Sequence, residues 1–202
     1  SLFYPQKKAG GPPISIFNLV KSIKEKFNIY IISKNHEINE KKSLEKINDG
    51  WNNFNFGSVY YFGYGKHTIK NVINLIKNIN PDVIYQNSFF SYDDLIPVLL
   101  YKKIYNKYTK IIIAPRGELY KNRVKMGKIK KILYSLLIKY SGLLNNVYWH
   151  ATGTDELKSI NNYLKIPKDK IYKIRNISIN NNENKKIIDK KIGELRLVYI
   201  AR

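Results

Sequence analysis

The sequence predicts an α/β fold, a parallel β-sheet with helices on both faces. Three observations lead there. Short runs rich in Ile, Val and Tyr alternate along the chain with segments of helical periodicity. Those runs, such as IYIIS and KIIIA, are continuously apolar, which marks strands buried on both faces. The chain has 202 residues and is 44% hydrophobic and 25% charged, enough for one full domain with a sizeable core.

The elements follow in order. SLFY is the expected tail of a strand. Pro12 to Phe27 is expected to be a helix, because Ile16, Leu19, Val20, Ile23 and Phe27 recur at helical spacing and Pro12 or Pro13 suits a first turn. Ile29 to Ser33 is a strand. The polar, Asn-rich residues 34–57 read as a long loop with one helical turn at most. Val59 to Gly63 is a strand, Thr68 to Lys77 a helix, and PDVIYQN a strand entered through Pro81. A helix over Tyr92 to Tyr105 leads to the strand KIIIA, which ends at Pro115. A helix over Arg123 to Tyr140, the strand NVYWHAT, the helix TDELKSINNYL and the short strand IYKIRN complete the series. Asp155 and Glu156 suit the favourable first turn of their helix. This is a Rossmann-like order, expected to occupy residues 1–180. The polar stretch at 181–194 reads as an interdomain linker. LRLVYIAR, at 195–202, reads as the first strand of a second Rossmann-like domain.

Composition narrows the function. There is no cysteine, which excludes disulfides and thiolate chemistry. No apolar run reaches the ~18 residues of a membrane span, and SLFYPQKKAGG lacks the apolar core of a signal peptide. A first residue other than Met hints at truncation or processing. His36, His67 and His150 have no metal-ligand spacing, so no metal is expected. The formal net charge of +21 favours a polyanion or an anionic membrane as partner. A general bias toward Lys, Asn, Ile and Tyr would raise the charge without any such demand.

In open α/β sheets, ligands bind outside the carboxyl ends of the strands. The residues there are Gly10-Gly11, Gln86-Asn87-Ser88, Pro115-Arg116-Gly117-Glu118 and His150-Ala151-Thr152. Gly10 and Gly11 let a ligand approach the backbone before a helix N-terminus that attracts phosphate, or form a plain turn. The G-x-G-x-x-G pattern is absent, which disfavours an NAD-dependent dehydrogenase. Arg116 suits a phosphate or a sugar hydroxyl. Glu118 suits hydroxyls, or the role of a base. An Arg116–Glu118 salt bridge holding the loop is the structural alternative. His150 reads either as a ligand contact or general base, or as a satisfied structural histidine.

Seven cations and no acid lie between Leu119 and Thr154. Lys121, Arg123, Lys125, Lys128, Lys130 and Lys131 oppose the dipole of the helix they begin, so helix stability does not account for them. They suit lipid headgroups. The apolar stripe Ile129, Ile132, Leu133, Leu136, Leu137 and Tyr140 on the same helix is expected to face the core.

The motifs AGGPPISIFNLVKSI, PDVIYQNSF, IIIAPRGELYKNRVKMGKIKKILY and VYWHATGTDELKSI, in that order, resemble the N-terminal half of GT-B glycosyltransferases. The closest likeness is to the large retaining family 4, also called group 1. The resemblance covers nearly the whole chain and implies an acceptor-side domain facing a donor-binding domain across a cleft. By that likeness Gly10, Gly11 and Arg202 contact the donor diphosphate. Asn87, Ser88, Arg116, Gly117 and Thr152 line the acceptor side, and Arg116, Glu118 and His150 take part in catalysis. Many relatives carry histidine where this chain has Arg116, and a guanidinium binds charge rather than shuttling a proton. The implied enzyme transfers a sugar with retention from a nucleotide-sugar to a glycan or lipid-linked acceptor in capsule, lipopolysaccharide or exopolysaccharide synthesis. It needs no cofactor or metal, and it works in the cytoplasm, peripherally on the inner face of the plasma membrane. The chain is then expected to be a fragment, inactive alone. A nucleic-acid-binding module fits the charge, but no stacking platform or helix-turn-helix supports it. A non-catalytic acceptor-binding subunit of a split transferase is the third reading.

Overall fold

A computed structural model describes residues 2–6, 8, 10–125 and 128–177. The expected linker, the expected strand at 195–202 and Arg202 lie outside these residues. The fold is α/β and Rossmann-like. The element order is α1 (Gly11–Ile23), β1 (Tyr30–Lys34), β2 (Gly50–Phe54), β3 (Gly57–Phe62), α2 (Ile69–Ile79), β4 (Val83–Asn87) and α3 (Tyr92–Ile104). There follow β5 (Lys110–Ala114), α4 (Lys121–Lys125), α5 (Lys128–Tyr140), β6 (Val147–Ala151), α6 (Thr154–Leu164) and, after one 3-10 turn, β7 (Ile171–Lys173). Strands β4-β5-β6-β7 form an all-parallel sheet in sequential order. A second sheet has the order β1-β3-β2, with β1 parallel and β2 antiparallel to β3.

Sequential order in a parallel sheet brings the carboxyl ends of β4, β5 and β6 side by side. Their register is direct: Asn87 lies opposite Ala114, and Ile113 opposite Trp149. The core beneath is apolar, with Ile111, Ile113, Trp149, Ala151, Leu95 and Ile160 all fully buried. A smaller cluster of Phe3, Val20, Phe56, Val59 and Tyr61 lies under α1 and the mixed sheet.

Five local expectations are corrected. Leu2 to Tyr4, the described part of SLFY, do not form a strand: residues 2–6 form a turn, with Phe3 buried against Phe17 and Phe56. Pro5 has no N–H to offer a ladder, and the Gln6 side chain takes the Phe3 N–H. Helix α1 stops at Ile23, where Lys26 N–H closes a tight turn onto the Ile23 carbonyl (2.9 Å), and Phe27 is left 62% exposed. The loop at 34–57 contains β2. Its sequence GWNNF is too polar to read as a strand, but it is an edge strand with one neighbour, held by a hairpin closing at Phe54–Gly57. The helix expected over Arg123 to Tyr140 is two helices, α4 and α5. The apolar stripe of α5 faces solvent, because Ser135 and Ile138 occupy the core side. No helix among the described residues is long and apolar enough to cross a membrane.

Candidate functional site

The cluster grows from the ends of β4, β5 and β6. Tyr85 and Asn87 are two apart on β4 and therefore share a face. Beyond β4, Ser88 takes a left-handed φ of 83°, and beyond β5 Arg116 takes one of 56°. Such values in non-glycine residues cost on the order of 1 kcal/mol each and persist only where neighbours fix them. Here the neighbours are specific. Arg116 Nε donates to Asn87 Oδ1 at 2.7 Å, Nη2 to the Tyr85 hydroxyl at 3.0 Å, and Nη1 to Asn176 Oδ1.

The polarity of this network can be worked out. His150 Nε2 lies 2.7 Å from the Ile174 carbonyl, which can only accept, so Nε2 carries the proton. Nδ1 is then an acceptor and takes the Tyr85 O–H at 2.5 Å. The Tyr85 oxygen in turn accepts from Arg116. Burial pushes the Tyr85 phenol up, and the Arg116 guanidinium pulls it part of the way back. Both ring nitrogens of His150 are thus occupied by the fold, which makes it a positioning residue for Tyr85 and, through it, Arg116.

Two glutamates tie the loops together. Glu118 accepts from the Ser88 hydroxyl (2.7 Å) and from the backbone N–H groups of Phe89 (2.7 Å) and Phe90 (3.0 Å). Glu156, only 1% exposed, accepts from Gly117 N–H (2.7 Å) and from the backbone N–H and hydroxyl of Thr152 (2.7 and 2.6 Å). It is the third residue of α6, the position from which a glutamate commonly reaches back to the preceding backbone. Both oxygens of each carboxylate accept from the chain's own donors. Gly117, at φ 77°, supplies the turn that lets its N–H meet Glu156.

Asn87, Ser88, Arg116, Gly117, Glu118, His150 and Thr152 therefore come together. The Arg116–Glu118 salt bridge does not form: each residue binds other groups. Among the described residues no carboxylate pairs with Arg116. Gly10, at φ 77°, caps α1, and a Cβ added at Gly11 would meet nothing within 4 Å. Helix α1 reaches the cluster's border through Asn18, whose amide donates to the Ile177 carbonyl at 3.0 Å. Lys121, Arg123 and Lys130 are exposed on α4 and α5, and Lys131 donates to the Arg123 carbonyl. The side chains of Lys125 and Lys128 lie outside the described residues.

Three participants escaped the sequence reading. Tyr85 was legible by its two-residue offset from Asn87. Asn176 follows the short strand β7, where the strand-end rule already pointed. Glu156 was credited to the helix dipole, although its position also fits a reach backward. Beside the cluster, at the end of β1, lies a cleft of about 520 Å³ lined by Lys34, His36, Lys41, Tyr64 and Ser91 among others. No protein-family model matches the chain, and no curated protein matches it.

Proposed function

We propose that the chain is the acceptor-side domain of a retaining, family 4-like GT-B glycosyltransferase. One observation supports this most: a guanidinium held in place at the ends of parallel strands, with no carboxylate paired to it among the described residues. Among the described residues, three of its five N–H donors are used internally, leaving one on Nη1 and one on Nη2 for a ligand. Two N–H groups and a fixed positive charge suit a phosphate. A cleft at the end of β1, joined to the cluster where Ser91 N–H donates to Ser88 Oγ, has the size of a small-ligand site, and Tyr64 lines it.

In this reading the acceptor is a glycan or lipid-linked sugar phosphate, and Arg116 holds its phosphate. The acceptor hydroxyl displaces the nucleoside diphosphate from the donor sugar, and its proton leaves on the departing phosphate. His150, Glu118 and Glu156 do not move that proton; they keep Arg116 and the loops preorganised. In the same reading Gly10 and Gly11 contact the donor diphosphate, and a Cβ at Gly11 would meet open space.

The test is calorimetric titration with a short-chain alkyl glucosyl phosphate, comparing the chain with Arg116→Ala. Saturable binding that the variant loses supports the reading. Equal binding by the variant, or preference for a DNA oligonucleotide over the sugar phosphate, overturns it.

A further inference from the structure

Helix α5 meets the core along one side only. Ser135 and Ile138 are buried, the Tyr134 hydroxyl donates to the Phe89 carbonyl at 3.2 Å, and the Tyr163 hydroxyl donates to Ser135 Oγ at 3.1 Å. At 3.6 residues per turn, Ile129, Leu133, Leu136, Leu137 and Tyr140 fall together on the opposite side. They are 82%, 57%, 45%, 62% and 77% exposed. Single exposed leucines are ordinary, but a contiguous row of five large apolar side chains marks a surface that meets something.

Charge says what. Lys130 borders the row on one side and Lys139 on the other. Lys121 and Arg123 of α4 are exposed beyond its first turn, where Lys131 Nζ ties the two helices by donating to the Arg123 carbonyl at 2.9 Å. No Asp or Glu occurs between Leu119 and Thr154. We propose that this face of α5 docks on an anionic lipid bilayer, its apolar row in the acyl boundary and its cations among the headgroups. A second copy fits poorly. A two-fold interface would set the same cations against each other, and one row on a helix about 20 Å long falls short of the roughly 800 Å² per partner of a stable interface. The docking surface does not depend on the sugar-transfer reading.

The experiment is co-sedimentation with vesicles of mixed phosphatidylglycerol and phosphatidylcholine, and with phosphatidylcholine alone. The chain is compared with Leu133→Ser/Leu137→Ser, which keeps the full net charge and alters only exposed positions. Circular dichroism checks that the variant is folded. The parent is expected to bind the anionic vesicles and the variant to bind roughly tenfold or more weakly. Lys121→Gln/Arg123→Gln/Lys130→Gln is expected to weaken binding as well. Equal binding by the leucine variant overturns the proposal, because charge alone would then account for it. So does a parent that ignores the anionic vesicles, or one that forms a dimer the leucine variant abolishes.

Discussion

At the scale of single residues, the cluster separates groups that hold the fold from one that is free to bind. Arg116→Lys is expected to behave like Arg116→Ala in ligand titrations, because one ammonium cannot serve Asn87, Tyr85 and Asn176 and still face a ligand. Glu156→Gln puts an amide N–H against donors in a buried place. A loss of about 2 kcal/mol in urea unfolding is expected, within the range for an unsatisfied buried group. Asp94 gives a pH dependence. Its buried carboxyl lies 3.0 Å from His67 Nε2 and accepts from the Ser91 hydroxyl. Burial would raise its pKa, but His67 and Ser91 are among the causes that outweigh burial and hold it well below the usual carboxylate range. A folded-state pKa below the unfolded value of about 3.9 contributes stability that is full above about pH 4 and lost as the pH falls further. Unfolding midpoints at about pH 6 and about pH 3 should therefore differ more in the parent than in Asp94→Asn.

At the scale of elements, adjacent positions on α5 should behave in opposite ways. Ile138→Ala removes a buried side chain and is expected to cost about 2–4 kcal/mol. Leu137→Ala, on the solvent side, should change stability by less than about 0.5 kcal/mol. Chemical denaturation of the two variants checks both. The same helix shows where periodicity stops being informative. Its sequence has an apolar stripe, and apolar stripes normally seek the core. The core side is instead filled by Ile138 and by Ser135 and Tyr134, whose hydroxyls find partners there. Which of two amphipathic sides faces inward depends on the neighbours, and those are set by the sheet rather than by the helix. Strand β2 was hidden for a related reason: an edge strand with one neighbour needs little apolar character. Strand β5 is plain in the sequence because its buried position in the parallel sheet is met by the continuous run Ile111 to Ala114. The strand-end rule then found Asn87, Arg116 and His150 without knowledge of their partners, and missed Tyr85, whose hydroxyl reaches the cluster from inside its strand.

At the scale of the molecule, packing is uneven. Among the described residues, nineteen buried side chains belong to the cluster around the parallel sheet, and five to the one under the mixed sheet. Amide hydrogen exchange should find the slowest protons in β5, around Ile111 and Ile113, and should see β1 to β3 open at lower free energy. Uniform protection of both sheets would contradict this. The paired glutamates also act at this scale. Glu156 holds the turn that carries Arg116, and Glu118, two residues further on, holds the turn after β4. Each loop is thereby anchored to the one before it. An engineer who transplants the segment after β5 from another protein would inherit obligations on both sides: a carboxylate at position 118 for the loop upstream, and a free backbone N–H at position 117 for the helix downstream. Loop exchange at this rim is therefore a problem of three loops at once, and a library that varies one of them alone would consist mostly of misfolded members.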